Sequence, residues 1–243
     1  MRTHRSKKET VHDTLLERIV NGDYRMGEKI LIKRLIEETG ASRQPVMSAL
    51  SDLRAEGLVS ITAQVGCEVV SPNARQTGDF YLMFGRLEGL LAELAAHRAA
   101  PTEVVKLREI NDRIRRLPVS KPSSAKAYPL LNREFHARLH SMAESPSIAD
   151  RQMYNFAMAD FLITQTCGFA VHLRDAVREH DAIIESIARG NGAQSRLLTE
   201  RHIGAVAKLV VGYMHEKFAT EGQSEIGCAP TTDRPAGQST EKT

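Results

Sequence analysis

The sequence predicts a mostly α-helical protein in two parts: an N-terminal unit of three helices and a two-stranded hairpin, joined to an all-α antiparallel bundle. Three observations carry that prediction. Apolar residues recur at helical spacing in segment after segment, from Val11, Leu15 and Ile19 near the start to Ala193–Ala219 near the end. Turn residues such as Asn21-Gly22, Gly40, Gly57 and Pro101 punctuate those segments. Only the stretch after Gly57 reads as paired short strands.

The chain has 243 residues and 42% apolar content, enough for packed cores in one large domain or two smaller ones. No apolar run approaches the roughly 20 residues that span a bilayer, and the charged start Met1 to Lys8 has no apolar segment behind it. The expectation is a cytoplasmic protein without a membrane partner. Cys67, Cys167 and Cys228 are odd in number and far apart, which argues for reduced thiols rather than a disulfide framework or a thiolate metal site. The net charge of +3 does not by itself suggest nucleic acid, because the two signs nearly balance.

Residues 1–9 read as a flexible basic arm, with four Lys or Arg and no acid between positions 2 and 8. From Thr10, the positions Val11, Leu15, Leu16, Ile19 and Val20 make a helix that Asn21-Gly22 ends. Asp23 to Glu28 is a turn. Ile30 to Thr39 gives a second helix, with Leu31, Leu35 and Ile36 inward and Lys33, Arg34, Glu37 and Glu38 outward. Gly40-Ala41-Ser42 is then a tight turn of helix-turn-helix length. In the third helix Ser42 suits the N-cap, Pro45 falls in the first turn, and Gly57 stops the run. Val46, Ala49, Leu50 and Leu53 form its buried stripe, leaving Arg43, Gln44, Met47, Ser48 and Ser51 outside. That outer face suits a groove, although alone it also describes an ordinary amphipathic helix. Leu58 to Ile61 and Cys67 to Val70 read as strands around Thr62 to Gly66. Three helices and a small wing over residues 10–71 are the plan of a winged helix-turn-helix.

The stretches Asn21 to Ile30, Gly40-Ala41-Ser42-Arg43-Gln44-Pro45-Val46, Leu53-Arg54-Ala55-Glu56-Gly57-Leu58-Val59, and Gly66 followed by Val69 resemble the GntR family of bacterial transcription regulators. The family patterns are G-x-x-x-P-G-x-x-L, G-V-S-R-x-P-V and L-x-x-E-G-L-V, and Met26 stands here in the proline's place. The resemblance implies contacts to double-stranded operator DNA from Lys33, Ser42, Arg43, Gln44, Met47 and the wing around Gly66. Arg43 at a helix N-terminus can reach a phosphate or a guanine edge, and Gly66 lets the wing backbone approach the minor groove. Where the family usually carries Arg and Glu, this chain has Met47 and Ser48. Losing that arginine predicts weaker binding to the family's common half-site or a different preferred sequence.

Ser71-Pro72-Asn73 breaks the pattern and opens a linker over residues 72–76. Residues 77–220 then read as helices throughout. Asp79 to Ala99 carries Leu82, Met83, Leu87, Leu90, Leu91 and Leu94; further helices follow from Pro101 to Leu117, Ala125 to Ala143 with a bend near Pro129, Ser147 to Thr166, Val171 to Arg189, and Ala193 to Ala219. Residues 221–243 have the composition of a disordered tail.

Asn132 and His136 lie four apart on one helix face, and His180 and His202 sit on two later helices. Such a set can surround one ion in a bundle core, but spacing does not show convergence, and core or surface histidines fit the same positions. Asn132-Arg133-Glu134-Phe135-His136, Glu179-His180-Asp181-Ala182-Ile183-Ile184-Glu185-Ser186-Ile187 and His202-Ile203 resemble the motifs of the FCD effector domain found in one GntR subfamily. The resemblance implies that Asn132, His136, His180 and His202 hold a divalent metal, zinc first and nickel or manganese as alternatives. It also implies a small carboxylate or sugar-acid effector bound beside the metal. Asn132 stands where the family has Asp, and a neutral amide holds a cation less tightly while leaving the site more positive. Arg86, in a loose match to R-x-x-x-E, is the candidate clamp for the effector carboxylate, though it reads equally as a surface arginine. His140 extends the face of His136; His97, His172 and His215 read as ordinary helix residues, and His4 and His12 lie in or near the arm.

The function these expectations describe is a homodimeric, ligand-responsive regulator whose effector changes the spacing of two winged helices on DNA. Two alternatives stand beside it. Three histidines with an open position also describe a metal-dependent enzyme acting on a small organic acid, and the metal could itself be the signal. Against catalysis, Glu134 and Glu179 are each one residue from a ligand and point about 100° around the helix from it.

Overall fold

The structure, a computed structural model, describes residues 5–62, 66–118 and 122–224. Its N-terminal part contains α1 (Lys7–Val20), β1 (Lys29–Ile30), α2 (Ile32–Thr39), α3 (Arg43–Ala55), β2 (Val59–Thr62) and β3 (Gly66–Val69). Helix α1 begins three residues before Thr10, because Ser6 caps the Glu9 amide while the Glu9 carboxylate takes the Ser6 amide. The expected arm is therefore ordered from its middle onward, and residues 1–4 lie outside the described residues.

The second helix is shorter than its pattern predicts. Lys29 and Ile30 pair antiparallel with Glu68 and Cys67, which adds a third strand to the hairpin in the order β1-β3-β2. Leu31 becomes the N-cap of α2 and is 63% exposed instead of inward, since backbone pairing on its N-terminal side outweighs one apolar contact. In α3, Val46, Ala49, Leu50 and Leu53 are fully buried, as the stripe predicts. Met47 departs from the expected outward face: it is half-buried and packs against the same core. Ser42 is the N-cap with an extended backbone, but its hydroxyl makes no capping bond. Residues 63–65, the tip of the expected wing, lie outside the described residues.

The helical part contains α4 (Ala74–Arg98), α5 (Pro101–Arg115), α6 (Pro122–Met142), α7 (Pro146–Gln165), α8 (Leu173–Ala188) and α9 (Gly192–Ser224), with a 3-10 turn at Phe169–Val171 before α8. Asn73 and Gln76 form a capping box, so α4 starts five residues before Asp79. The buried face of α4 is Thr77, Tyr81, Phe84, Glu88, Leu91 and Ala95, while Leu82, Met83 and Leu90 are exposed. Of the predicted face only Leu91 is fully buried and Leu94 packs against the core, because both sides of this helix carry apolar residues and a buried glutamate marks the inner side. Residues 221–224 of the expected tail belong to α9, which runs to Ser224; residues 225–243, with Cys228, lie outside the described residues.

Two apolar cores hold the molecule. One joins Val11, Leu15, Leu50 and Leu53 of the winged part to Phe84, Phe156, Phe161 and Met214 of α4, α7 and α9. The other packs Leu91, Leu107, Phe135, Leu139 and Ile183 between α4, α5, α6 and α8. The histidine-bearing helices meet where these cores adjoin. Among the described residues, no helix is long and apolar enough to cross a membrane.

Candidate functional site

Helices α6, α8 and α9 bring His136, His180 and His202 together, all at most 2% exposed, with one ring nitrogen of each within 4.8 Å of the others. Aromatic neighbours fix the rings. Phe135 stacks on His180 at 3.8 Å between centroids, and Phe156 packs against His136 at 4.8 Å.

Each imidazole is also held from behind through Nδ1. His136 Nδ1 lies 2.7 Å from Glu88 Oε2, and His202 Nδ1 lies 2.7 Å from Glu179 Oε2. An ionised carboxylate only accepts, so Nδ1 carries the proton and Nε2 keeps its lone pair. His180 Nδ1 lies 3.2 Å from Asn111 Oδ1, and the orientation of Asn111 is set by its own amide, which donates to the Val177 carbonyl and to Asp181. All three rings are therefore in the tautomer that aims Nε2 inward. A hydrogen-bonded partner behind each ligand is the arrangement that orients metal-binding histidines and raises their basicity.

The electrostatics agree with this assignment. Burial alone would raise the Glu88 carboxyl, but the facing His140 and His136 outweigh it and hold Glu88 below the usual carboxylate range. Glu179 is likewise lowered to about 2, the hydrogen bonds from His172 and His202 overcoming burial. Burial, reinforced by the neighbouring imidazoles, pushes His180 well below the ordinary histidine range, and His202 is lowered by burial despite Glu179. For His180 and His202 these directions favour the neutral imidazole that a cation requires.

Asn132, one turn before His136, supplies the observation that most directly tests whether a metal fits. Its Oδ1 and the Nε2 of His180 are shut off from solvent with no hydrogen-bond partner among the described residues. Asn132 lines one cavity with His202, and His180 belongs to the histidine cluster, so each orphaned acceptor is costly there unless a positive group meets it. Tetrahedral zinc with bonds of about 2.0–2.1 Å would need ligand atoms roughly 3.3 Å apart, so side-chain shifts of about 1.5 Å at most close the cluster. The donor set of three nitrogens and one oxygen fits a divalent ion. A cavity of about 30 Å³ adjoins it, lined by Tyr128, Asn132, Phe169, His172, His202 and Leu209 among others.

Other candidates land differently. Arg86 does not reach the cluster: it is 67% exposed, ion-paired to Glu200, and lines a surface cleft between α4 and α9. Glu134 is exposed and pairs with Arg113 at 2.7 Å, whereas Glu179 turns toward the cluster and stands behind His202. His140, expected to extend the face of His136, and His172, expected as an ordinary helix residue, are buried parts of the same arrangement. His140 Nε2 lies 2.6 Å from Glu88 Oε1, and His172 Nε2 lies 2.9 Å from Glu179 Oε2. Glu88, Asn111 and Glu179 were missed as outer partners; a glutamate among apolar residues on α4 was the available signal for the first.

On the winged part, Lys33 is exposed on α2, Ser42, Arg43 and Gln44 are exposed at the start of α3, and Gly66 is exposed at the loop end of the hairpin with φ +129°. Met47 contributes only part of its surface there.

Residues 7–69 match the bacterial regulatory proteins of the gntR family, and residues 79–205 match the FCD domain. The Nta operon transcriptional regulator of Aminobacter aminovorans is 30% identical over 129 residues, 53% of this chain and 60% of its own length. The chain therefore spans less than two thirds of that relative. The Uxu operon regulator of Haemophilus influenzae is 26% identical over 207 residues, covering 78% of this chain and 76% of its own. Among solved structures, E. coli McbR/YncC has the same fold with a TM-score of 0.67 at 15% identity, covering 88% of this chain and 99% of that one. A GntR regulator from Rhodococcus sp. RHA1 also gives 0.67, at 18% identity, covering 86% and 99%.

Proposed function

The chain belongs to the gntR family of bacterial regulatory proteins and is a transcriptional regulator of that type with an FCD domain, and from this premise we propose that it binds operator DNA as a homodimer under control of a divalent metal site. The observation that carries the reading is the convergence of His136, His180 and His202, beside a cavity that His202 shares with Asn132, whose buried oxygen has no partner among the described residues. His136, His180, His202 and Asn132 hold the ion, zinc by preference, and Glu88, Asn111 and Glu179 keep the rings aimed. A divalent cation held there would take a small carboxylate by expanding its coordination beyond these four ligands or by releasing the neutral Asn132 oxygen.

Arg133 takes the clamp role first given to Arg86. It follows Asn132 directly, pairs with the buried Asp160, and has a buried Nε–H without a partner among the described residues. Glu179 cannot serve as a base at the open position, because its carboxylate lies on the Nδ1 side of His202. This argues for a binding site rather than a catalytic one. On the DNA side, Arg43 and Gln44 reach base edges while Lys33 and Ser42 reach phosphates. Leu82, Met83 and Leu90 on α4 and Leu197 on α9, exposed by 63, 45, 36 and 42%, offer the self-complementary contact of the homodimer.

A gel-shift titration of the chain on its own upstream DNA tests the reading, run with and without zinc and a panel of sugar acids and dicarboxylates. Affinity that changes with zinc or with one acid is expected, and without turnover of any acid. Turnover with no DNA affinity would sink the regulator reading; a response to zinc alone would make the metal the signal.

A further inference from the structure

Resting on that reading of the histidine cluster, we infer that Gln165 is the positioning residue through which the cluster holds the winged helix. Gln165 ends α7, and both ends of its amide engage the turn after α1. Nε2 donates to the Tyr24 carbonyl at 2.8 Å, and Oε1 accepts the Met26 amide at 3.1 Å. Only an amide side chain offers a donor and an acceptor side by side; a carboxylate would keep the Met26 bond and lose the Tyr24 one. The turn is pressed closely against this helix end. A Cβ at Gly22 would stand 3.0 Å from Thr164 Cγ2, and one at Gly57 would stand 3.6 Å from Met158.

The same helix end continues into the wall of the cluster. Ile163, Cys167, Gly168 and Phe169 line the cavity shared with Asn132 and His202. The helix stops because Thr166 leaves helical geometry at φ −123° and ψ −107° and Gly168 takes φ +70°. Seven residues further on from Gln165, His172 donates to the Glu179 carboxylate that holds His202. A shift of His202 or of the cavity wall thus reaches residues 165–172 by two physical routes, a hydrogen-bonded one and a packed one. Gln165 converts it into a change in how the winged helix is docked, which alters the spacing of two half-site readers.

Amide hydrogen exchange on the full chain tests this with wild type, Q165M and Q165E, each checked for fold by circular dichroism. In metal-free protein, Q165M should speed exchange of residues 22–28 roughly tenfold and leave α4 unchanged, with Q165E between. Adding zinc should alter exchange of wild type in both 163–170 and 22–28, and of Q165M in 163–170 alone. Unchanged exchange at 22–28 in metal-free Q165M, or a zinc effect there that survives in Q165M, overturns the inference. Zinc binding itself is read from the wild-type thermal shift. Absence of that shift removes the metal reading, while the metal-free comparison still decides the clamp.

Discussion

Replacing Glu88 by glutamine isolates the contribution of the outer partners to the cluster. Glu88 is fully buried and takes three donors, His136 Nδ1 at 2.7 Å, His140 Nε2 at 2.6 Å and Gln152 Nε2 at 2.9 Å. In E88Q one oxygen becomes an NH₂ that cannot accept. Turning the amide oxygen toward His136 preserves that bond without its charge, His140 can move its proton to Nδ1 to accept from the NH₂, and the Gln152 amide loses its bond to the same position but keeps the one to the Phe84 carbonyl. The fold should therefore survive. Losing a charge-assisted bond behind a ligand typically weakens metal affinity about 10- to 100-fold, or about 1.4–2.7 kcal/mol. E88L is the harsher control: each donor left buried and unpaired costs about 1–3 kcal/mol, which predicts a strongly lowered melting temperature. Competition for zinc against a chelating dye measures the affinity, and circular dichroism of the metal-free variant verifies the fold. A folded E88Q that binds zinc within twofold of wild type would refute the role given to Glu88.

The other predictions concern pH, DNA, assembly and docking. His180 and His202 are held below the ordinary histidine value in the folded state, burial being the first cause for both, so unfolding takes up protons below about pH 6.5. Their stabilising contribution is complete above that pH and is lost as it falls. The metal-free melting temperature should drop between pH 7 and 5, with a flatter profile in H180Q; equal slopes would count against the assignment. Glu179, lowered to about 2, gives a separate loss only as pH falls below about 4.5. Lys33→Ala should weaken operator binding uniformly and reduce its salt dependence by about one phosphate contact, whereas Arg43→Ala should cost about 1–3 kcal/mol and relax specificity at the base it reads, both measured by fluorescence anisotropy at several salt concentrations and on variant sites. Leu90→Glu with Leu197→Glu should give a monomer by analytical ultracentrifugation, and an intact dimer would relocate the interface. Gly22→Ala, forced to keep φ +85° with its Cβ 3.0 Å from Thr164, should lose about 1–2 kcal/mol in thermal unfolding.

The parts of the fold legible in the sequence are those where one local rule acted alone. The α3 stripe of Val46, Ala49, Leu50 and Leu53 lies between Gly40 and Gly57, and no competing pattern crosses it. Where two rules competed, the reading slipped. Ile30 continues the apolar period of α2 but is claimed by β3, and α4 carries leucines on its exposed side and a buried glutamate on its inner one. The pairing of Asn132 with His136 was visible as a four-residue step; the convergence of His180 and His202 was not, and entered through resemblance to the FCD domain. Glu88 and Asn111 act on histidines 48 and 69 residues away, a relation no local spacing encodes. His172 was misjudged for the same reason, and the shared partner of His136 and His140 was not legible either, being brought to them only by helix packing.

The central claim is that the imidazole cluster controls DNA binding, and anisotropy of labelled upstream DNA with wild type and H136A tests it most directly. Wild type should change its operator affinity several-fold between chelator-treated and zinc-loaded states, while H136A binds DNA with one affinity in both. Identical affinities for wild type in the two states, and with every acid in the panel, would contradict the account.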